Sequence, residues 1–218
     1  MPSYLTVTGP VEHETEVRRS RFICALAPVG TEEEARAFIA ERRRLYGDAT
    51  HNCTAYVLGD RVQKADDDGE PGGTAGTPML EVLNRRGFAD VVAVVTRYFG
   101  GILLGAGGLV RAYGGAVGEA LDRAVSVRMV PATIMSVVID HAHAGRLEND
   151  LRVSPYPVRA VDYGADVTFE VAVADGALDG FAGWLAGVTA GRAIALPGEG
   201  VHLREDGPPL GSVQPAPK

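Results

Sequence analysis

Cysteine and long apolar runs are both scarce in this sequence. Only Cys24 and Cys53 occur among 218 residues, too few for the disulfide framework of a small secreted domain. No charged and then apolar signal segment opens the chain, and runs such as Val91 to Val95 are far shorter than the ~20 residues of a membrane helix. We therefore expect a cytoplasmic protein with two free thiols and no membrane span.

Positive charge is also in short supply. The formal net charge is −7, whereas bulk electrostatic binding of nucleic acid needs a positive surface that displaces phosphate counterions. Residues 1–130 carry 15 basic and 17 acidic side chains, and residues 131–218 carry 6 and 11. Any anion-binding surface is therefore expected in the first part of the chain.

What the sequence does contain is a globular composition, with 46% hydrophobic and 22% charged residues. A chain of this length favours two compact units over one. Pro131 marks the predicted boundary between a domain over residues 1–130 and a second over residues 132–205. The Pro-rich polar tail over residues 206–218 is predicted to be disordered.

Secondary-structure patterns differ between the two parts. In the first, Thr31 and Glu34 form a capping box, the polar stretch Gly59 to Gly76 is predicted as a long loop, and Thr77 is predicted to cap the next helix. In the second, strands and helices are predicted to alternate as βαββαβ, the order of a ferredoxin-like sandwich. These segments are Ile134 to Ile139, His143 to Arg152, Val158 to Tyr163, Val167 to Val173, Leu178 to Val188 and Ala193 to Leu203.

A glycine-rich loop from Gly100 to Gly108 separates the apolar strand Val91 to Val95 from a helix predicted over Leu109 to Arg123. Ala106 and Gly107 stand where a phosphate loop needs Lys and Ser or Thr, so a Walker motif is excluded. The dinucleotide fingerprint also fails, because Val110 occupies its third small position. Two interpretations stay open: an anion site at the helix N-terminus, or glycines that only permit close packing.

The acidic run from Asp66 to Glu70 resembles a calcium loop only superficially. Aligning Gly69 with the obligatory glycine places Lys64 and Ala75 at positions that require carboxylates. His51 and Cys53 share a strand face, but no second pair completes a zinc site. We therefore predict no catalytic residue, no metal and no cofactor.

Four sequence blocks resemble the IMPACT family, of the bacterial YigZ type. They are Arg19-Ser20-Arg21-Phe22, the stretch Ala49 to Tyr56, the stretch Asp67 to Pro78, and the stretch Val94 to Tyr113. The resemblance implies an α+β protein whose N-terminal α/β sandwich is like domain 2 of a small-subunit ribosomal protein. It implies a C-terminal ferredoxin-like domain, as in domain V of elongation factor G, and a role in translation or its regulation.

Three hypotheses for function follow. The first is a non-enzymatic translation-associated regulator that binds RNA, a ribosome or a translation factor, as a monomer or weak homo-oligomer. Its predicted anion- or nucleic-acid-binding residues are Arg19, Arg21, His51, Asp68, Glu70, Thr74, Arg97, Gly100, Gly101, Gly105, Gly107, Gly108 and Arg111. The second is a phosphate- or metal-dependent hydrolase or transferase that uses His51, Asp67, Asp68 and Glu70. The third is a module that binds a protein partner through the ferredoxin-like sheet face.

Overall fold

The computed structural model describes residues 1–59 and 62–205. The chain forms two compact units of an α+β protein, Tyr4–Val127 as one, and Met1–Ser3 with the chain from Arg128 onward as the other. The tail predicted over residues 206–218 lies outside the described residues. Within the described ranges, none of the helices combines the length and apolarity needed to cross a bilayer.

The unit Tyr4–Val127 is built on an antiparallel sheet. The strands within this part of the chain are β1 Tyr4–Val7, β2 Val11–Val17, β3 Ser20–Pro28, β4 His51–Leu58, β5 Val62–Asp66 and β6 Val91–Tyr98, and the helices are α1 Glu32–Leu45, α2 Gly76–Arg85 and α3 Ala106–Arg123. The sheet does not include β1. Five strands pair in the order β2-β3-β6-β4-β5. The apolar strand β6 lies at the centre of the sheet, which its β-branched run favours.

Alternation along β6 supplies a core on each face of this sheet. Val91, Ala93 and Val95 pack in one apolar cluster with residues of α2 and α3. Val92 and Val94 pack in the other, with residues of α1. Successive strand residues point to opposite faces, so one unbroken apolar run serves two cores.

The second unit has the ferredoxin-like arrangement that the sequence predicts. Its elements are β7 Ser126–Ile139, α4 His141–Arg152, β8 Val158–Tyr163, β9 Val167–Ala174, a short 3-10 helix Asp175–Ala177, α5 Leu178–Thr189 and β10 Ile194–Arg204. Antiparallel pairing joins β10 to β7, β7 to β9 and β9 to β8. Residues of α4 and α5 pack with residues of the sheet in a single apolar cluster.

Two local predictions were wrong. The stretch from Gly59 to Gly76 is not only a loop, because it contains the edge strand β5, whose residues from Gln63 onward are exposed. Thr77 does not cap α2, since that helix begins at Gly76. Pro131, the predicted domain boundary, lies inside β7 opposite His202 of β10, and the two units divide between Val127 and Arg128. Pairing between β7 and β9 begins only at Ala132, where the missing N–H of proline no longer matters.

Candidate functional site

A buried ion pair lies at the end of the central strand β6. Arg97 and Glu70 are only 5% and 8% exposed, and Arg97 Nη1 donates to Glu70 Oε1 at 2.6 Å. The Tyr113 hydroxyl on α3 donates to the same oxygen at 2.7 Å. A buried charge needs this kind of compensation, because its removal from water is costly. The ion pair therefore joins β6, the acidic turn from Asp66 to Glu70, and α3.

Aromatic rings enclose the Arg97 guanidinium. Its carbon lies 5.5 Å from the centroid of Phe22 and 5.6 Å from that of Phe99, within the range of cation–π attraction. Phe22 also meets Tyr113 edge to face at 5.2 Å. Arg97 Nε is buried and has no hydrogen-bond partner within residues 1–59 and 62–205. Arg97 is thus a buried residue that packs beneath the exposed side chain of Phe99.

Asp67 caps helix α2 from a distance. Its carboxylate accepts hydrogen bonds from the backbone N–H groups of Gly73 at 2.7 Å, Gly76 at 2.8 Å and Ala75 at 3.0 Å. Burial acts to raise the pKa of Asp67, but these donors outweigh it and hold the pKa below its ordinary value. The anion stabilises N–H groups that would otherwise lack acceptors.

Asp68 and His51 are also held by neighbouring groups. The Asn52 N–H donates to the Asp68 carboxylate at 2.7 Å, and Arg43 donates to it at 3.1 Å. His51 Nδ1 lies 2.8 Å from the carbonyl oxygen of Asp68, so this nitrogen carries the proton. His51 Nε2 is 3.9 Å from Glu70 Oε1, beyond hydrogen-bonding distance.

These contacts bear on the hydrolase or transferase hypothesis. Asp67, Asp68 and Glu70 each bind groups of the protein itself, and the Thr74 hydroxyl donates to the Pro71 carbonyl at 2.6 Å. Among the described residues, no group of three or more His, Cys, Asp or Glu side chains is placed to hold a metal ion. Burial raises the pKa of Cys53 to about 12. The acidic turn thus has a clear structural role, in capping and in pairing Arg97.

The surface above the ion pair begins at the turn between β2 and β3. Val17 pairs with Ser20, and Arg18 and Arg19 have φ values of 48° and 64°. Positive φ at both central residues is typical of a tight hairpin turn, but it is unfavourable for residues other than Gly, Asn and Asp. Gly100 N donates to Ser20 Oγ at 3.2 Å, which joins this arginine turn to the glycine loop.

Helix α3 begins at Ala106, inside the predicted glycine loop. Gly105 is its N-cap with φ 71°, and no side chain of the described residues caps the helix. The N–H groups of Gly108 and Leu109 both donate to the Gly105 carbonyl, and those of Ala106 and Gly107 have no acceptor in residues 1–59 or 62–205. Arg111 Nη1 lies 3.7 Å from the point where a Cβ atom on Gly107 would stand. The Arg111 guanidinium therefore lies against the first turn of α3, at Gly107.

The predicted residues divide into two layers. His51, Asp68, Glu70, Thr74 and Arg97 form the lower layer, and the upper layer holds the exposed Arg19, Arg111 and the glycines Gly100, Gly101, Gly105, Gly107 and Gly108. Arg21 is exposed but occupied, because its guanidinium makes two hydrogen bonds to the Glu14 carboxylate.

Sequence reasoning missed three contributors. The predicted site residues did not include Tyr113, Ser20 or Phe99. The only signal was their place in the family-like blocks. Phe99 is 46% exposed and Leu103, within the glycine loop, is 81% exposed, so apolar side chains project beside the arginines.

Comparison with known proteins identifies the family. Residues 18–121 match the Impact N-terminal domain, and residues 137–192 match a domain of unknown function, DUF1949. The IMPACT family member YvyE of Bacillus subtilis (strain 168) is 46% identical over 205 residues, covering 93% of this chain and 94% of that protein. The chain belongs to the IMPACT family.

Other similarities extend this assignment. The IMPACT family member YigZ of Escherichia coli (strain K12) is 41% identical over 177 residues, which is 79% of this chain and 87% of YigZ. A crystal structure described as a hypothetical protein has 38% identity and a TM-score of 0.72, and the match covers 91% of this chain and 98% of that one. Protein IMPACT of Bos taurus is 34% identical over 105 residues, only 44% of this chain and 32% of that protein. The bacterial members thus share both units, and the bovine match is partial.

Proposed function

We propose that this chain is a non-enzymatic regulatory protein of translation that binds RNA, free or on a ribosomal surface. The contact surface comprises Arg19, Phe99, Leu103, Arg111 and the first turn of α3. Membership of the IMPACT family supports a translation-related role at the level of the family. The observation that carries the proposal for this surface is the position of Arg111 over the uncapped first turn of α3.

That position is electrostatically unfavourable without an anion. The N-terminus of a helix carries the positive end of its dipole, so a cation there is repelled and a phosphate is attracted. The first turn of α3 has no acidic residue. A phosphate group would accept hydrogen bonds from the Ala106 and Gly107 N–H groups and from Arg111, with Arg19 exposed nearby across the Gly100 contact.

Apolar side chains beside the arginines favour single-stranded RNA over a duplex. Every base offers a face that can stack on an aromatic ring, and such stacking tolerates any sequence. Phe99 is half-exposed, and Ile102 and Leu103 extend the apolar area. Arg97 lies below Phe99 and is assigned a positioning role in place of the direct phosphate contact expected from the sequence.

The net charge of −7 constrains how such a protein binds. Non-specific attraction to RNA is weak, so affinity has to come from a few local contacts. The dependence of binding on salt should therefore be shallow, because its slope follows the number of phosphates that basic side chains neutralise. A shallow dependence of affinity on salt distinguishes this mode from binding through an extensive basic surface.

Fluorescence anisotropy with a short labelled single-stranded RNA, measured over a series of salt concentrations, tests the proposal. Arg111→Ala should weaken binding about 10-fold, the effect of losing one hydrogen bond to a charged group, and reduce the salt slope by about one. Arg44→Ala on α1 is the matched control, since Arg44 is exposed and remote in sequence from this surface, and it should bind like wild type. Absence of binding by wild type at low salt would reject the proposal.

A further inference from the structure

A second cleft lies on the other face of the same sheet, between α1 and the edge strand β5. Its cavity volume is about 490 Å³, within the range of ligand pockets. One wall is a flank of α1, formed by Arg36, Ile39, Ala40 and Arg43. Their spacing of three, four and seven residues places all four on one side of a helix.

The floor and the opposite wall come from β4 and β5. Tyr56 pairs with Lys64, and Thr54 pairs with Asp66, so each pair points to the same face of the sheet. All four residues line the cleft. Helix α1 packs over β4 and β6, and β5 extends the sheet beyond them, which leaves the cleft open.

Tyr56 supplies an unused hydrogen-bonding group to this cleft. Its side chain is buried, with 3% exposure, and its hydroxyl has no hydrogen-bond partner in the part of the chain that the structure describes. Burial, followed by the charge and the hydrogen-bonding influence of nearby Glu32, raises the pKa of Tyr56, and Arg36 opposes this, so the hydroxyl keeps its proton at neutral pH. It lies near both side chains without a hydrogen bond to either, and a ligand oxygen would accept from it.

Basic side chains outnumber acidic ones among the residues that line the cleft, although the chain as a whole is negative. The basic residues are Arg36, Arg43 and Lys64, and Arg43 already pairs with Asp66 at 3.0 Å and with Asp68 at 3.1 Å. Lys64 forms no ion pair within residues 1–59 and 62–205. Arg36 pairs with Glu32 at 2.6 Å, but exposed pairs of this kind are weak, so the guanidinium is available to a ligand.

We propose that this cleft binds a small organic phosphate of mononucleotide size. The phosphate would lie between Lys64 and Arg36, where charge-assisted hydrogen bonds are strong. A flat apolar body would rest on Ile39 and Ala40, and an oxygen of the ligand would accept from the Tyr56 hydroxyl. This site does not depend on the RNA-binding surface, because the two share no residue and lie on opposite faces of the sheet.

Isothermal titration with AMP, GMP, CMP and UMP tests the site in the full chain. At least one should bind saturably. Lys64→Gln should weaken that binding about 10-fold through the lost charge-assisted bond, and Tyr56→Phe about 5-fold through the lost hydroxyl. Arg44→Gln, on α1 but outside the cleft, should have no effect, and Arg111→Ala should have none either.

Each alternative result is decisive. Tyr56→Phe removes only a hydroxyl that has no partner, so its thermal unfolding should match or exceed that of wild type, and its binding can be measured on folded protein. If no mononucleotide binds wild type, or if both cleft variants bind like wild type, the site is rejected. Inorganic phosphate binding as tightly as the mononucleotides would reject the role of the apolar wall. Loss of binding in Arg111→Ala alone would assign the ligand to the RNA-binding surface instead.

Discussion

Gly100 packs against the backbone of Arg19 so closely that a Cβ atom on Gly100 would lie 2.0 Å from the Arg19 carbonyl oxygen. No neighbouring side chain could relieve that overlap, since the obstacle is main chain. The contact fixes the arginine turn relative to the glycine loop. The glycine is therefore required for close packing at this position, while its neighbours at the start of α3 leave N–H groups open. The packing interpretation therefore applies to Gly100, and the anion site at the start of α3 stays a prediction.

Gly100→Ala should destabilise the protein by about 1–3 kcal/mol, the usual cost of forcing an extra carbon into a packed site. Chemical denaturation followed by circular dichroism measures the change. The matched control is Gly115→Ala, at an exposed position within α3 where a Cβ meets nothing within 4 Å. That variant should be more stable by about 0.5–1 kcal/mol, because alanine restricts the unfolded chain. Equal stability of Gly100→Ala and wild type would show that the turn moves freely.

Asp67 should contribute to stability in a pH-dependent way. Asp67→Ala removes the acceptor of three N–H groups and should cost about 1–3 kcal/mol at neutral pH. The pKa of Asp67 is lowered in the folded chain from an ordinary value of 3.8, so the contribution is fully present above that value and is lost as the pH falls through the folded pKa. Free energies of unfolding of both proteins should therefore converge below about pH 4.

The control for Asp67 is another acid near a helix N-terminus. Asp179 lies in the first turn of α5 and is exposed, so Asp179→Ala should change stability by only a few tenths of a kcal/mol, about 0.3 to 0.5. A pH-independent difference between wild type and Asp67→Ala would mean that packing, not the carboxylate charge, accounts for the loss.

Sequence patterns predicted contacts between residues within one helical turn, and failed where a contact joins residues that are far apart in sequence. The capping box at Thr31 was recognisable because Glu34 N donates to Thr31 Oγ1 at 3.1 Å, within one turn. Capping of α2 was not, because Asp67 reaches Gly76 across a folded loop. The edge strand β5 escaped notice since its polar, exposed residues lack the alternation that marks a half-buried strand.

The sequence did not predict which residues of the candidate site are buried. Arginine is rarely buried, so Arg97 was expected to face a ligand. Its burial depends on Glu70, which is 27 residues away in sequence. It depends also on Tyr113, which lies on the apolar side of α3 but donates a hydrogen bond to Glu70. The ferredoxin-like order was accessible because each of its elements carries its own periodicity and ends at a clear turn.

Both thiols should be inert in the native protein. Cys24 and Cys53 are free and buried, and burial raises the pKa of both thiols, that of Cys53 to about 12. Almost no thiolate forms at neutral pH, so a disulfide reagent such as DTNB should react slowly until the protein is unfolded in denaturant, when two equivalents appear. Rapid modification of native Cys53 would restore the case for a nucleophile.

The ion pair between Arg97 and Glu70 should behave as a unit. Glu70→Leu leaves a guanidinium buried without its partner and should destabilise the protein by about 3–5 kcal/mol, whereas the double variant Glu70→Leu with Arg97→Met, in which both residues become apolar, should lose less than Glu70→Leu or Arg97→Met alone. Denaturant unfolding of the four proteins measures this coupling.

The surface pair of Arg21 and Glu14 is the control. Their side chains are joined at 2.8 Å but half-exposed, so Glu14→Ala should lower the free energy of unfolding by less than about 1 kcal/mol. If the apolar double variant folds stably yet binds RNA poorly, Arg97 positions Phe99 and the glycine loop above it. If the losses in free energy of unfolding of the two single variants simply add in the double variant, the two residues are not a coupled buried pair.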